Sequence, residues 1–389
     1  MPNQLEVKIL MESKLFETYK LGNLEIKNRI VMAPMTRCRS GNSGVPSELT
    51  CQYYAQRATS GLIITEGVPV SQQAMGYLWT PRIDGAEHVT GWSKVTNAVH
   101  KEEGVIFMQI WHVGRVSHTS LQPDGIAPEG PTSDQPDEAV CFAYQENGQP
   151  GYVPTSQPQA LNEEGLERIK AEFVQAARNA RQAGFDGVEI HGANGYLFDQ
   201  FLNSVVNTRS DDYGGNVENR CRFLLDVVKA VGEEIGFART GVRISPNGRF
   251  NDMPEDPEME ETFVYLAKKL HKMGVVYLHI NDQTTFELPG IPEGMIEKIR
   301  EVFPGTIILC GGYNKELADQ ALDSGLADLI AFGVPYLANP DLPARMKNGW
   351  PLNDADRETF YGGAEKGFTD YPTYQANETE ASEEASQAG

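Results

Sequence analysis

The sequence predicts a (β/α)8 barrel, the α/β TIM-barrel fold in which eight parallel strands alternate with helices and close into a ring. Two observations favour this fold. A helix-like stretch that ends at Gly, followed within a few residues by an apolar run, recurs five times along the chain. Three further apolar runs of strand length fit between these, which gives eight strands in βα alternation. An open, doubly wound sheet is the alternative.

The recurring join is typical of a βα repeat, because Gly adopts the left-handed conformation that closes a helix. The β-branched run that follows suits a parallel strand buried on both faces. The joins are Ser60-Gly61 before Leu62–Thr65, Glu103-Gly104 before Val105–Met108, Ala183-Gly184 before Val188–Ile190, Met273-Gly274 before Val275–Leu278 and Ser324-Gly325 before Leu329–Phe332. The other three runs are Ile30–Met35, Val242–Ser245 and Thr306–Leu309. Apolar periodicity predicts helices over 164–181, 217–235 and 258–272.

Two stretches interrupt the repeat. Leu15–Lys27 predicts a hairpin that plugs the N-terminal mouth of the barrel. Residues 114–161 follow the third strand and are rich in Pro, Gly and Asp, so they predict a cap over the catalytic face, where long barrel insertions lie. We expect one domain over residues 12–373 and a disordered acidic tail over residues 374–389.

Composition limits the partners of the protein. A formal net charge of -21 repels nucleic acid and anionic membranes. No apolar run is long enough to cross a bilayer, and the N-terminus lacks the hydrophobic stretch of a signal peptide. Five scattered cysteines without CxxC spacing argue against a disulfide framework and a structural zinc site. We therefore expect a cytoplasmic protein; whether Met1 or Met11 is the natural start stays open.

The fourth strand is followed by side chains suited to carbonyl chemistry. Active sites of barrels lie at the C-terminal ends of the strands, and His191, Asn194 and Tyr196 come directly after such an end. Two hydrogen-bond donors aimed at one oxygen would polarise a carbonyl, and a nearby phenol could deliver a proton. None of these groups is a hydride source, so a redox cofactor would have to lie against them.

Glycines at the ends of strands seven and eight suggest a phosphate site. Gly311, Gly312 and Gly333 leave backbone N–H groups exposed at the usual phosphate position of barrels, although tight turns would explain them equally well. A phosphate here and carbonyl chemistry at strand four together describe a flat, phosphorylated cofactor across the top of the barrel.

Several other chemistries lack their motifs. The chain has no GxSxG elbow, no P-loop and no GxGxxG after a strand, so a nicotinamide cofactor is not held in the Rossmann manner. Glu66 and Glu189 occupy barrel strands, but nothing places them across a sugar-sized gap. A metal site at His112, His191 and His279 stays open, because all three lie near strand ends.

Five motifs resemble the old yellow enzyme family of FMN-dependent ene-reductases, over a stretch from Leu15 to about Tyr371. They are Ala33–Arg37, Gln109–Arg115, Glu189–Leu202, Ala338–Leu342 and Phe360–Gly363. The resemblance implies a non-covalently bound FMN that NADPH or NADH reduces. The residues it implies around the flavin ring are Pro34, Met35, Thr36, Gly67, Gln109 and Arg243. It assigns the phosphate to Gly311, Gly312, Gly333 and the backbone of Val334.

The same resemblance implies a reaction. His191 and Asn194 would bind the carbonyl oxygen of an α,β-unsaturated carbonyl or nitro compound. Hydride would pass from flavin N5 to the β-carbon, and Tyr196 would protonate the α-carbon. The residues it implies around the substrate are Tyr77, Trp111, Phe360 and Tyr361, in addition to His191 and Asn194.

One position departs from the family pattern. Members of the family carry an arginine after Phe332-Gly333, where its guanidinium grips the FMN phosphate, whereas this chain has Val334. Loss of a bidentate charged contact predicts weaker FMN retention.

Two other functions stay open at this point: a metal-dependent barrel hydrolase and a non-catalytic flavin-binding protein. The sequence does not decide between a monomer and a homodimer.

Overall fold

The computed structural model describes residues 13–375 and contains a closed barrel of eight parallel strands. The predicted fold is confirmed. In chain order the strands are β1 Ile30–Met32, β2 Leu62–Pro69, β3 Ile106–Trp111, β4 Gly187–Gly192, β5 Thr240–Ile244, β6 Tyr277–Asn281, β7 Thr306–Cys310 and β8 Leu329–Phe332. The ring closes where β8 pairs with β1, for example Ala331 with Val31.

The strands are apolar because the barrel buries them on both faces. All residues of β4, β5 and β6 are buried, as the near-continuous apolar runs predict. One face packs on the surrounding helices and the other fills the barrel interior, where Phe107 and Tyr277 are in ring contact with centroids 5.9 Å apart.

The helices follow the strands as the βα alternation predicts. They are α1 Glu48–Ala55, α2 Ala86–Lys101, α3 Glu163–Gln182, α4 Leu197–Leu202, α5 Val217–Ile235, α6 Met259–Met273, α7 Met295–Val302, α8 Lys315–Ser324, α9 Val334–Ala338 and α10 Leu342–Asn348. The predicted helices over 164–181, 217–235 and 258–272 match α3, α5 and α6 closely. Asn162 caps α3 by accepting a hydrogen bond from the Gly165 N–H group, and Gly274 ends α6 in the left-handed conformation.

Most strand boundaries differ from the predicted runs by one to three residues, and two differences bear on the site. The run Ile30–Met35 leaves the sheet after Met32, because Pro34 has no N–H group to donate to a neighbouring strand. Strand β2 continues past Thr65 to Pro69, with an irregularity in its pairing between Ile64 and Gly67. Both differences lie at the C-terminal ends of strands, so they shape the face of the barrel that carries the site.

The hairpin plug is confirmed. Antiparallel strands Tyr19–Leu21 and Leu24–Ile26 form it, and Leu21 and Ile26 are buried against barrel residues such as Val31 and Leu329. These contacts close the N-terminal end of the barrel with apolar side chains.

The insertion after β3 forms the predicted cap. It contains an antiparallel pair, Val140–Tyr144 with Pro150–Pro154, and a short parallel pair, Glu129–Gly130 with Gln159–Ala160. Phe142 and Tyr152 of the first pair are in ring contact and face the cavity described below.

Two further predictions concern membrane-spanning helices and the two ends of the chain. Within residues 13–375 no helix is both long and apolar enough to span a bilayer. Residues 376–389 of the predicted acidic tail, and the candidate start residues Met1 and Met11, lie outside the described residues.

Candidate active site

A cavity of about 830 Å³ lies at the C-terminal ends of the barrel strands and under the cap. Residues from the ends of β1, β5, β6, β7 and β8 contribute to its wall. The predicted site residues that line it are Pro34, Met35, Thr36, Tyr77, Tyr196, Arg243, Gly311, Gly312, Gly333, Val334, Phe360 and Tyr361. Twelve side chains or backbones chosen from scattered parts of the sequence therefore meet in one space.

The loop after β4 presents Tyr196 to this cavity. Asn194 and Gly195 both adopt left-handed backbone conformations, with φ of 60° and 72°. The Asn194 N–H group donates to Ser245 Oγ and the Gly195 N–H group donates to the Asp199 carboxylate, each over 2.8 Å. A side chain at position 195 would overlap the Phe250 carbonyl oxygen, so Gly is required there.

Tyr196 is held as a neutral phenol. Its ring packs edge-on against Trp111, with centroids 4.8 Å apart, and its hydroxyl lies 3.1 Å from the Tyr77 hydroxyl. Burial outweighs the hydrogen bond with Tyr77 and raises the pKa of Tyr196 to about 12. The group is therefore protonated at neutral pH and can act as an acid.

His191 and Asn194 lie next to Tyr196 but outside the set of residues that line the cavity. The His191 ring centroid is 5.2 Å from that of Tyr196. Burial, and then the positive charges of Arg243 and His279, lower the pKa of His191 well below its ordinary value, so the imidazole is neutral. The Asn194 side-chain oxygen accepts hydrogen bonds from Asn281 and Gln283, both at 3.0 Å, so its amide nitrogen is left as the donor.

Gly67, Gln109 and Trp111 also lie beside the cavity and do not line it. Gly67 has no room for a side chain, because Trp111 packs directly on it. Gln109 Nε2 donates to Glu189 Oε1 over 2.7 Å, and both residues are buried in the barrel. Trp111 in turn packs against Tyr77 and Tyr196, which line the cavity.

A charged network fills the barrel interior below the cavity. Glu189 and His279 are fully buried and form an ion pair of 2.8 Å. Burial raises the pKa of Glu189, but its interactions with His279, Arg243 and Gln109 together outweigh burial and leave this pKa below its ordinary value. Burial lowers the pKa of His279, but its interactions with Glu189 and Cys310 together bring it above its ordinary value. The two groups therefore stabilise each other in their charged forms.

Arg243 joins this network to the cavity. Its Nη2 group donates to Asn281 Oδ1 over 2.8 Å and to Cys310 Sγ over 3.7 Å. Its Nε group is buried and has no hydrogen-bond partner among the described residues. A buried, partly unsatisfied guanidinium in a cavity wall is typical of a site that receives an electronegative group.

The cavity fits a flat, phosphorylated cofactor. Gly311 and Gly312 have φ of +123° and +69°. Because neither residue has a side chain, their backbone groups are accessible. A side chain at Gly333 would meet nothing closer than Met35 Sδ at 3.7 Å, so the backbone there borders open space. Together with Arg243, these glycines provide the donor types that an isoalloxazine ring and its phosphate need.

Several residues of the site were not singled out from the sequence. Asn281 ends β6, and Asn251, Phe250 and Phe286 lie in the loops after β5 and β6. The rings of Phe250 and Phe286 stack with centroids 5.2 Å apart. The only available signal was position, since each of these residues follows a barrel strand.

The alternative metal site at His112, His191 and His279 does not assemble among the described residues. His112 Nδ1 accepts a hydrogen bond from the Gly114 N–H group, and burial lowers the pKa of His112 to about 3. His279 is paired with Glu189 instead. Among residues 13–375 no group of three or more His, Cys, Asp or Glu side chains is placed to hold a metal ion.

The barrel, the fixed cation and the buried phenol define the class of protein as a flavin-dependent oxidoreductase. The sequence profile of the NADH:flavin oxidoreductase / NADH oxidase family matches residues 14–353. The chain is 43% identical over 368 residues to 12-oxophytodienoate reductase 1 of Oryza sativa subsp. japonica, with 92% of each chain covered.

Solved structures agree with this relationship. Morphinone reductase in complex with tetrahydroNAD is 45% identical, covers 93% of this chain and 98% of its own, and superposes with a TM-score of 0.90. The old yellow enzyme homologue of Zymomonas mobilis is 40% identical, covers 92% and 99%, and gives a TM-score of 0.87.

The chain belongs to the old yellow enzyme family of NADH:flavin oxidoreductases. It is an NAD(P)H-dependent flavin oxidoreductase that acts on activated C=C bonds, and not a metal-dependent hydrolase.

Proposed function

We propose that the protein is an FMN-dependent ene-reductase that reduces α,β-unsaturated carbonyl or nitro compounds, with Tyr196 as the proton donor. The observation that carries this proposal is a phenol that stays protonated in the cavity wall, in the same space as the partly unsatisfied Arg243. Tyr196 would deliver the proton, and Arg243 would suit the electron-rich edge of a flavin.

The residues proposed to hold FMN divide into two sets. The ring set is Pro34, Met35, Thr36, Gly67, Gln109 and Arg243; the phosphate set is Gly311, Gly312, Gly333 and the backbone of Val334. Bound FMN would supply reversible hydride transfer, accepting hydride from NADPH or NADH and passing it to the substrate. Arg243 would provide a fixed positive charge at the ring edge, since an arginine remains charged in a buried site.

Three neighbouring side chains would act on the substrate. The neutral His191 imidazole and the Asn194 amide nitrogen would donate hydrogen bonds to the carbonyl or nitro oxygen, which draws electron density from the β-carbon. Tyr196, which contacts Tyr77 and Trp111, would then transfer its phenolic proton to the α-carbon.

Aromatic side chains favour a flat, apolar substrate. Phe360 and Tyr361 line the cavity together with Phe142 and Tyr152 of the cap. Tyr361 and Tyr152 are 55% and 60% exposed. Their exposed faces would be buried by a substrate that extends from the barrel towards the cap.

Stopped-flow spectroscopy under anaerobic conditions tests the proposed function. We expect NADPH or NADH to bleach the flavin absorbance of the purified protein, and cyclohexenone or a nitroalkene to restore it in a separate step. Comparison of the two nicotinamides also establishes which one is preferred. A protein that stays colourless after incubation with excess FMN, or a reduced flavin that neither acceptor reoxidises, would contradict the proposal.

Val334→Arg is expected to tighten FMN binding. Val334 lines the cavity beside Gly333 and is 47% exposed, so an arginine there has room to reach a phosphate. A charge-assisted hydrogen bond contributes about 1.5–3 kcal/mol, which lowers the dissociation constant by roughly ten- to one-hundred-fold. Fluorescence titration of the flavin-free protein with FMN measures this constant.

Val334→Leu is the control, because it adds bulk without charge and should bind FMN as the native protein does. Equal constants for Val334→Arg and the native protein would refute the assignment of the phosphate site.

We also propose that residues 12–373 form a single FMN-binding domain and that the protein is cytoplasmic. The five free cysteines among the described residues, all buried, support a reducing location.

A further inference from the structure

We propose that Cys310 is a reactive thiol in the wall of the flavin cavity, one that adds to α,β-unsaturated carbonyl compounds when the cofactor is absent and is shielded when it is bound. The shielding rests on the proposed function; the reactivity of the thiol does not. The reduction proposed above makes no use of this residue.

The position of Cys310 gives it access to the cavity. It is the last residue of β7 and lines the cavity directly before Gly311 and Gly312. The residue is 9% exposed, so a small part of it borders the cavity and the rest is enclosed by the barrel. Any flat group that lies on the two glycines would therefore also restrict access to Cys310.

The surroundings of Cys310 favour the thiolate. Arg243 Nη2 donates to its sulfur over 3.7 Å, and this arginine is itself 6% exposed with an unpartnered Nε group. Burial raises the pKa of Cys310, but its interactions with His279 and Arg243 outweigh burial and leave the pKa below the ordinary value. His279 keeps its charge because Glu189 is paired with it.

Cys38 provides a contrast within the same cavity. It also lines the wall and is 2% exposed. Burial raises its pKa, and the nearby Glu66 carboxylate raises it further. Of two thiols that face one space, only Cys310 has the charge environment of a nucleophile.

The reaction is a conjugate addition that needs no oxidant. The Cys310 thiolate attacks the β-carbon and forms an S–C bond, and the π electrons of the C=C bond move to the α-carbon. The α-carbon then takes a proton from water, which replaces the proton that the thiol has released. Compounds of the proposed substrate class would thus modify Cys310 in any copy of the protein that has lost its FMN.

The test compares labelling of the full-length protein with and without saturating FMN. The probe is N-ethylmaleimide, and peptide mass spectrometry follows the adduct at each cysteine over time. Without FMN we expect Cys310 to react at least about tenfold faster than Cys38, since reactivity follows the thiolate fraction. Saturating FMN should slow the Cys310 reaction by at least a similar factor. Cyclohexenone in place of the maleimide should give the same site preference.

Three controls make the outcome decisive. Cys141 and Cys221 are fully buried, so their labelling would report unfolding rather than cavity access. Cys38→Ser should retain the rapid adduct, whereas Cys310→Ser should lose it. A partially loaded sample avoids stripping the cofactor: the labelled fraction of Cys310 should equal the flavin-free fraction.

Two results would overturn the inference: equal labelling rates at Cys38 and Cys310, or no Cys310 adduct in folded, flavin-free protein. The protein could also bind no FMN at all. In that case Cys310 would still be labelled selectively, but added FMN would not slow the labelling, and the proposed function rather than the reactivity of Cys310 would be wrong.

Discussion

Tyr196→Phe is expected to lose alkene reduction while flavin reduction by NADPH or NADH continues. The substitution removes one oxygen and retains the ring that packs on Trp111 and His191. Since a positioned general acid contributes roughly 10²- to 10⁴-fold, the rate of flavin reoxidation by cyclohexenone should fall by that factor. Stopped-flow measurement of the two half-reactions separates the steps.

Tyr77→Phe is the matched control for this prediction. It removes the hydroxyl that lies 3.1 Å from Tyr196 but leaves the proton donor in place. Loss of one hydrogen bond corresponds to about 0.5–1.5 kcal/mol, so its effect on reoxidation should stay within about tenfold. If Tyr196→Phe reduces cyclohexenone as fast as the native protein, the assignment of Tyr196 as the proton donor is wrong.

Glu189→Gln is expected to destabilise the fold strongly. Glu189 is fully buried, accepts a hydrogen bond from Gln109 and pairs with His279 over 2.8 Å. Removal of one partner of a buried ion pair leaves the other charge uncompensated and costs about 3–5 kcal/mol. Here Arg243, which also lowers the pKa of Glu189, would lose its nearby countercharge as well. Urea unfolding of the flavin-free protein, followed by tryptophan fluorescence, measures the loss.

Glu233→Gln is the control on the surface. Glu233 pairs with Lys229 on α5, and the two side chains are 58% and 59% exposed. An exposed pair of this kind contributes at most about 1 kcal/mol. Similar losses for the Glu189 and Glu233 variants would mean that the buried pair does not stabilise the barrel.

The same pair predicts a pH dependence of stability. The folded-state pKa of His279 is raised, so its contribution is complete below the unfolded value of about 6.5 and is lost as pH rises through the folded value. The folded-state pKa of Glu189 is lowered, so its contribution is present above about 4.3 and is lost as pH falls through the folded value. The stability difference between the native protein and Glu189→Gln should therefore shrink as pH rises through the folded-state pKa of His279 and as pH falls through that of Glu189.

Local signals in the sequence were sufficient for the architecture. Gly before an apolar run predicts a helix end and a buried strand at five joins. Together with three further apolar runs this makes eight strands, which leave few ways to bury them other than a closed ring. The hairpin and the cap were predictable for a related reason, since each interrupts the repeat with a composition of its own. The strand ends were less predictable, because the departure of β1 after Met32 and the extension of β2 to Pro69 depend on pairing with neighbours.

The candidate site was predictable where one segment carries its chemistry. His191, Asn194 and Tyr196 are close in the chain, and the glycines of strands seven and eight follow from the barrel itself. Asn281, Phe250 and Phe286 were missed, since an Asn or a Phe after a strand is common in many barrels. Which of these side chains faces the cavity depends on the conformations of the loops. A loop conformation depends on many residues together, so it cannot be predicted from single positions.

The sequence by itself determined the order of the strands, the segment that carries the proposed proton donor and the absence of an arginine at position 334. Only the tertiary structure decided that Glu189, His279, Arg243 and Cys310 meet in one network, because they come from four strands spread over more than a hundred residues. Their contact follows from the closure and register of the barrel, in which His191, Arg243 and His279 lie side by side on adjacent strands. Register is set by the packing of the whole ring, so no single stretch of sequence contains it.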